Sequence, residues 1–177
     1  MVSSTRIYCD MDGVLCDFAR NIKTTTGMTI DNWMRVDKEE RWKKIIEKRT
    51  FWSTMPWLND GKNLWRFIEK HDPYILSAAS QQDPNCKPGK MQWIARNLGI
   101  PRNRVHLVQR HEKQMFAKTG GQPCILIDDY GRNTKEFTTR GGVGIRFQNI
   151  AANDALINDK VSAMLNDGWE LVNIVAG

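Results

Sequence analysis

A chain of 177 residues, 41% hydrophobic and 26% charged, is long enough to bury one ordinary core with room for a modest insertion, and its composition excludes a disordered or fibrous class. The formal net charge of +6 and pI near 9.3 favour anionic partners, yet Lys and Arg are spread along the chain, so a phosphorylated small molecule accounts for the balance as well as nucleic acid does. No apolar stretch approaches the length of a membrane span and the opening MVSSTRIYCD lacks the apolar middle of a secretory signal, so a cytoplasmic protein without membrane association is expected.

The first apolar run, RIYCD (6–10), reads as a strand buried on both faces and leads into MDGVLCDF, which sets Asp10, Asp12 and Asp17 within eight positions. About sixty residues then separate it from the next run, far more than a simple crossover requires. That interval reads as helices after Phe18, around KEERWKKIIEK (38–48) and around GKNLWRFIEK (61–70), an inserted helical cap over 19–70 that holds Trp33, Trp42, Trp52, Trp57 and Trp65. Further strand-like runs occur at YILSA (74–78), RVHLV (104–108), CILID (124–128) and GVGIRF (142–147). Pro88 in a first turn and Gly99 just past the end bracket a helix in PGKMQWIARNLG, and Asn153 would cap another reaching about Asn166, with Ile157, Val161, Met164 and Leu165 on one face. The closing GWELVNIVAG (168–177) reads as an added strand or tail. Alternating strands and helices predict an α/β fold: a Rossmann-like parallel sheet built from 1–18 and 71–177, with the cap at 19–70.

Carboxylates crowded like Asp10 and Asp12 raise each other's pKa unless a cation or hydrogen bonds offset them. An i, i+2 pair leaving a strand points to one side, and Gly13 permits a turn directly after it. A second pair, Asp128 and Asp129, ends CILIDD in the same way. Open parallel sheets bind ligands at the carboxyl ends of their strands, so up to four carboxylates are expected around one small volume. Such oxygen density calls for a hard divalent cation, and Mg²⁺ suits one or two carboxylates plus a substrate phosphate. Cys9, Cys16, Cys86 and Cys124 form no C-x-x-C pair and read as reduced core thiols. His71, His106 and His111 lack metal-ligand spacing. The glycines of RGGVGIRF fit no phosphate-loop pattern and read as a turn into a strand.

DMDGVLCDF, ILSAAS, a lysine after VHLVQRHE, and ILIDD resemble the four ordered motifs of the haloacid dehalogenase (HAD) superfamily, over residues 6 to about 147. With TFWSTMPWLNDG and ILIDDYGRN added, the chain most resembles the 5′(3′)-deoxyribonucleotidase family and its phage and bacterial relatives. That resemblance implies a HAD core with a small C1-type cap and a Mg²⁺-dependent phosphatase acting on (deoxy)nucleoside monophosphates through an aspartyl-phosphate. It makes Asp10 the nucleophile and Asp12 the general acid and base. The metal would be held by Asp10, Asp128 and the backbone carbonyl of Asp12, with Asp129 a ligand through water or an orienting group. Ser77 would hydrogen-bond a phosphate oxygen; the next residue, Ala78, departs from the second hydroxyl usual in the animal nucleotidases.

The resemblance favours Lys113 as the phosphate-neutralising lysine, with Lys118 the alternative, and Lys90 a further positive charge nearby. It places Phe18, Phe51 and Trp52 around the base, where aromatic faces stack in a sequence-tolerant way. Trp42 and Trp65 read as core packing. A phosphorylated substrate, most simply a nucleotide, is the expected partner, with no stable nucleic-acid partner; the resemblance also allows a homodimer. Two other readings stay open: a phosphatase for a polynucleotide 3′-phosphate or another small phosphomonoester, and a non-catalytic binding module on the same fold.

Overall fold

The computed structural model describes residues 5–147. Five strands form one parallel sheet: β1 (Ile7–Cys9), β2 (Tyr74–Ala78), β3 (Val105–Val108), β6 (Ile125–Asp128) and β7 (Val143–Arg146), in the order β3-β2-β1-β6-β7. All five expected runs form strands, because apolar residues on successive positions suit a sheet covered on both faces. β1 and β6 are entirely buried. Their register pairs Tyr8 with Leu126 and Cys9 with Ile127, which puts Asp10 and Asp128 side by side at the carboxyl end of the sheet. The chain runs outward from β1 through β2 to β3, then returns to the other side of β1 to lay down β6 and β7. The β1–β6 boundary is therefore the switch point where open α/β sheets hold ligands.

Between β1 and β2 lie α1 (Phe18–Thr26), α2 (Ile30–Arg35), α3 (Lys38–Glu47) and α4 (Asn59–Ile68), the last running into a 3₁₀ turn at Glu69–His71. Asp17 does not join the other carboxylates; its side chain accepts from the Arg20 N–H at 3.0 Å and caps α1. The helix α2 was not expected, since six residues are too few for a hydrophobic periodicity to declare itself. The insertion is not set apart from the sheet. Ile22, Trp33 and Ile45 share one hydrophobic cluster with Ile7, Cys9, Ile75 and Ile127. Residues 51–58 are tied to the segment between β2 and β3 by three indole N–H groups: Trp52 to Asp83 Oδ2 at 2.7 Å, Trp93 to the Met55 carbonyl at 2.8 Å, and Trp57 to Asn97 Oδ1 at 3.2 Å.

The helix α5 (Cys86–Asn97) covers the expected segment, with Pro88 in its first turn and Gly99 just past its end. No α-helix joins β3 to β6. The link is a 3₁₀ stretch, Arg110–Phe116, and a small hairpin, β4 (Lys118–Thr119) with β5 (Gln122–Pro123). Its two-residue loop is Gly120-Gly121, both at positive φ (57° and 79°), the conformation that tight hairpins require. The helix α6 (Gly131–Thr139) then leads to β7. The expected helix from Asn153 and the tail at 168–177 lie outside the described residues. No helix among the described residues is long and apolar enough to cross a membrane. All four cysteines are free and buried, as core thiols should be.

Candidate active site

The loop leaving β1 is wound tightly. The N–H groups of Val14, Leu15 and Cys16 all converge on the Met11 carbonyl, at 3.1, 2.8 and 2.8 Å, and the Gly13 N–H donates to the Cys16 carbonyl at 2.9 Å. Gly13 sits at φ +78°, and a Cβ there would lie 2.2 Å from Asp129 Oδ2. Glycine is needed both for the turn and for the approach of that carboxylate.

Asp10, Asp128 and Asp129 come together with carboxylate oxygens within 4.8 Å of one another. Asp10 is 6% exposed and Asp128 fully buried. Burial, then the neighbouring Asp10 charge, pushes the Asp128 carboxyl up to about 6 despite the Lys113 ammonium. Burial with the charges of Asp10 and Asp128 pushes Asp129 to about 7. Lys113, buried in the 3₁₀ stretch after β3, bridges the group, its Nζ 2.7 Å from Asp128 Oδ2 and 3.1 Å from Asp10 Oδ1. Burial opposes its charge, but the two carboxylates outweigh it and hold the ammonium protonated. Asp128 is fixed further by the Tyr130 N–H at 2.9 Å and by Asn133 Nδ2 at 3.0 Å; Asn133 in turn accepts from Arg110.

The donor set fits a hard divalent cation. Three carboxylates brought within 4.8 Å of one another, two of them buried, with burial and neighbouring charge raising the carboxyls of Asp128 and Asp129, are relieved by a metal with a preference for oxygen. The carboxylate of Asp12 is not part of this cluster. It turns to Lys90, on α5, whose Nζ donates to Asp12 Oδ2 at 2.7 Å, to Ser77 Oγ at 2.9 Å and to the Ala78 carbonyl at 2.7 Å. The other oxygen, Asp12 Oδ1, is buried with no hydrogen-bond partner. Burial pushes the Asp12 carboxyl up, against the pull of Lys90. Lys90 itself stays charged because Asp12, Cys86 and Asp10 outweigh its desolvation.

Of the residues singled out from the sequence, Asp10, Asp128, Asp129 and Lys113 meet in one cluster, and Asp12 and Ser77 meet on Lys90. Lys118 is exposed on β4, packed beside Gly141, and takes no part. The aromatic residues need correction. Phe51 and Trp52, expected to line a base pocket, are 0% and 2% exposed and belong to the core. Trp52 stacks on Phe18 and Trp42 with ring centroids 5.9 and 6.3 Å apart, and Phe51 meets both Phe18 and Trp52 edge-on. These rings satisfy one another, so neither Phe51 nor Trp52 offers an open face; Phe18 is only half-buried. Trp65 is buried and Trp42 half-buried in the same cluster, as expected of core packing.

Lys90 carries more of the site than its sequence position suggested. A readable signal existed: Cys86, Lys90, Trp93 and Ile94 recur on the buried face of α5, and a lysine on such a stripe needs buried acceptors. A cavity of about 550 Å³ opens at the carboxyl ends of β2 and β3, lined by Ser80, Gln81, Asp83, Lys87, Gln109 and Glu112 among others and by none of the residues gathered in the two sets.

No protein-family model matches the chain, and no curated protein matches it in sequence. Solved structures do match its fold. A candidate beta-phosphoglucomutase from Thermotoga maritima aligns over 92% of this chain and 99% of its own, with a TM-score of 0.54 and 14% identity. A HAD family hydrolase from Deinococcus radiodurans R1, with bound phosphate and sodium, aligns over 95% of this chain and 97% of its own, with a TM-score of 0.52 and 10% identity. The five-stranded parallel sheet and its order, together with these likenesses, give the chain the α/β fold of HAD-type hydrolases.

Proposed function

We propose that the protein is a phosphomonoester hydrolase of the HAD type, and that its substrates are (deoxy)nucleoside monophosphates. The observation that carries the reading is the pairing of two sets at the switch point: Asp10, Asp128 and Asp129 with the buried Lys113, and Asp12, whose buried Oδ1 is unpartnered, with Ser77 on the buried Lys90. The fold it shares with a hydrolase that holds phosphate supports the reaction class. The motif resemblance supports the nucleotide, and a cavity at the same end of the sheet, at β2 and β3, has a volume that would admit the remainder of such a molecule.

In this reading a carboxylate oxygen of Asp10 attacks phosphorus and the ester P–O bond breaks, giving an aspartyl-phosphate and an alcohol. Asp12 delivers the proton to the departing oxygen and takes one from the water that later attacks phosphorus, releasing phosphate and regenerating Asp10. Lys113 faces two carboxylates, which leaves a third N–H for a phosphoryl oxygen. Ser77 offers its hydroxyl to another. Asp10, Asp128 and the Asp12 carbonyl would hold Mg²⁺, with Asp129 orienting or bound through water; the cation supplies charge neutralisation for an anionic nucleophile meeting an anionic phosphate.

A second reading has its own observation. The segment 19–70 carries twelve Lys and Arg against seven Asp and Glu, and so most of the net charge. That favours a longer polyanion, such as a polynucleotide bearing a 3′-phosphate. Phosphate release from 5′- and 3′-(deoxy)nucleoside monophosphates and from 3′-phosphorylated oligonucleotides, with Mg²⁺ or EDTA, tests both. Mg²⁺-dependent release from mononucleotides that varies little with salt supports the first; release confined to oligonucleotides and falling steeply with salt supports the second. Release from none of them contradicts the phosphatase.

A further inference from the structure

We propose that Lys90 is a positioning residue for the hydrolysis, fixing Asp12 so that Oδ1, and not Oδ2, meets the leaving group. The inference rests on the phosphatase reading above and assigns to this site a residue beyond its acidic motifs and Lys113.

An ammonium has three N–H donors and no acceptor. Those of Lys90 are matched by three acceptors, Asp12 Oδ2 at 2.7 Å, Ser77 Oγ at 2.9 Å and the Ala78 carbonyl at 2.7 Å. None remains for a phosphoryl oxygen, so Lys90 makes no direct hydrogen bond to the phosphoryl group. Its effect is to hold one oxygen of Asp12 and leave the other. Asp12 Oδ1 is buried and unpartnered, an arrangement that costs stability in a resting protein and is relieved when a substrate oxygen arrives.

The lysine cannot easily be elsewhere. It is fully buried on α5, and its ammonium lies 5.1 Å from the centre of the Trp52 ring, within cation–π range. Trp52 is held by its own hydrogen bond to Asp83. Gly89 lets the helix close on that wall, since a Cβ at 89 would come 2.6 Å from Trp52 Cβ. Helix, indole and strand end together fix the ammonium, and the ammonium fixes the carboxylate.

A residue acting through the proton donor betrays itself in leaving-group dependence. The value of kcat/KM reports the step in which Asp10 displaces the alcohol. An alkoxide needs a proton at that step, whereas the p-nitrophenolate of p-nitrophenyl phosphate does not. With Mg²⁺, Lys90→Met should lower kcat/KM by ~100-fold or more on an alkyl phosphomonoester that the wild type hydrolyses and by less than ~10-fold on p-nitrophenyl phosphate, in line with the usual worth of a general acid. In an Asp12→Asn background, Lys90→Met should cost nothing further on either ester. The double variant carries no stranded buried charge, whereas Asp12→Asn leaves the Lys90 ammonium without its carboxylate, so thermal unfolding is measured for each variant; where Lys90→Met or Asp12→Asn does not fold, Lys90→Gln, which keeps an N–H for Asp12 Oδ2 without the charge, should show a smaller loss that is still selective for the alkyl ester. Equal losses on the two esters, or losses that multiply in the double variant, overturn the inference while the phosphatase stands. A wild type that hydrolyses no phosphomonoester overturns both.

Discussion

Two buried lysines divide the site, and their difference lies in what each has left to give. Lys113 sits among acidic residues that need neutralising, bonded to Asp10 and Asp128, with an N–H remaining for a third partner. Lys90 has three partners already, one of them a backbone carbonyl. Residue type and burial are the same in both; the number of acceptors separates a group that would bind phosphate from one that would hold its neighbours still. A buried lysine is thus to be read by its unmatched donors, since the cost of burying its charge is offset in either case.

Removing Lys113 should have the largest effect. Lys113→Met should lower kcat/KM by ~100-fold or more on aryl and alkyl esters alike and weaken inhibition by inorganic phosphate, because the lost charge faces the phosphoryl group whatever leaves it. A loss confined to alkyl esters would erase the distinction between the two lysines. The metal-side half can also be struck without touching either lysine. Gly13→Ala forces a side chain into φ +78° and to within 2.2 Å of Asp129 Oδ2, so it should destabilise the fold by ~1–3 kcal/mol and weaken Mg²⁺ binding, measured by denaturation and by calorimetric titration. Unchanged Mg²⁺ affinity would remove Asp129 from the metal site.

A third test uses pH. In the folded protein Asp129 titrates at about 7, against an ordinary value of 3.8. Between those values the folded state binds more protons than the unfolded chain, so stability from this group is full below about 4 and is lost as pH rises through 7. The metal-free wild type should therefore lose Tm relative to Asp129→Asn over that window, and saturating Mg²⁺ should close the gap. A gap that does not change with pH would contradict the crowding of the three carboxylates. The smallest effect is expected on the Lys90 side: Trp52→Phe keeps an aromatic wall but loses the bond to Asp83, costing ~1 kcal/mol and, if Lys90 loosens, a few-fold of alkyl-ester turnover.

The clustering of Asp10, Asp128 and Asp129 was legible from residues alone, because an acidic pair closing an apolar run states both the strand and its end. RIYCD and CILIDD needed only the parallel order of the sheet to bring their carboxylates together. Lys113 needed the motif resemblance, since spacing could not choose between it and Lys118; the turn after β3 buries Lys113 against Asp10 and Asp128 and leaves Lys118 on a hairpin. Lys90 was harder, because a lysine lowers the apparent amphipathicity of the helix that buries it. Phe51 and Trp52 were misread for the opposite reason. An aromatic residue suits a base pocket and a core equally, and only the ring contacts within 19–70 decide between them. The short helix α2 and the 3₁₀ link from β3 to β6 left no periodic signal to read.

In the proposed reaction Asp10 is the group to which the phosphoryl moiety is transferred. Phosphate release from the best substrate of the panel, with Mg²⁺ and with EDTA, should be measured for the wild type and Asp10→Asn alongside their thermal stability. Mg²⁺-dependent release should fall at least ~1,000-fold in a variant that remains folded; a folded Asp10→Asn protein that still releases phosphate at a rate near that of the wild type would contradict that role for Asp10.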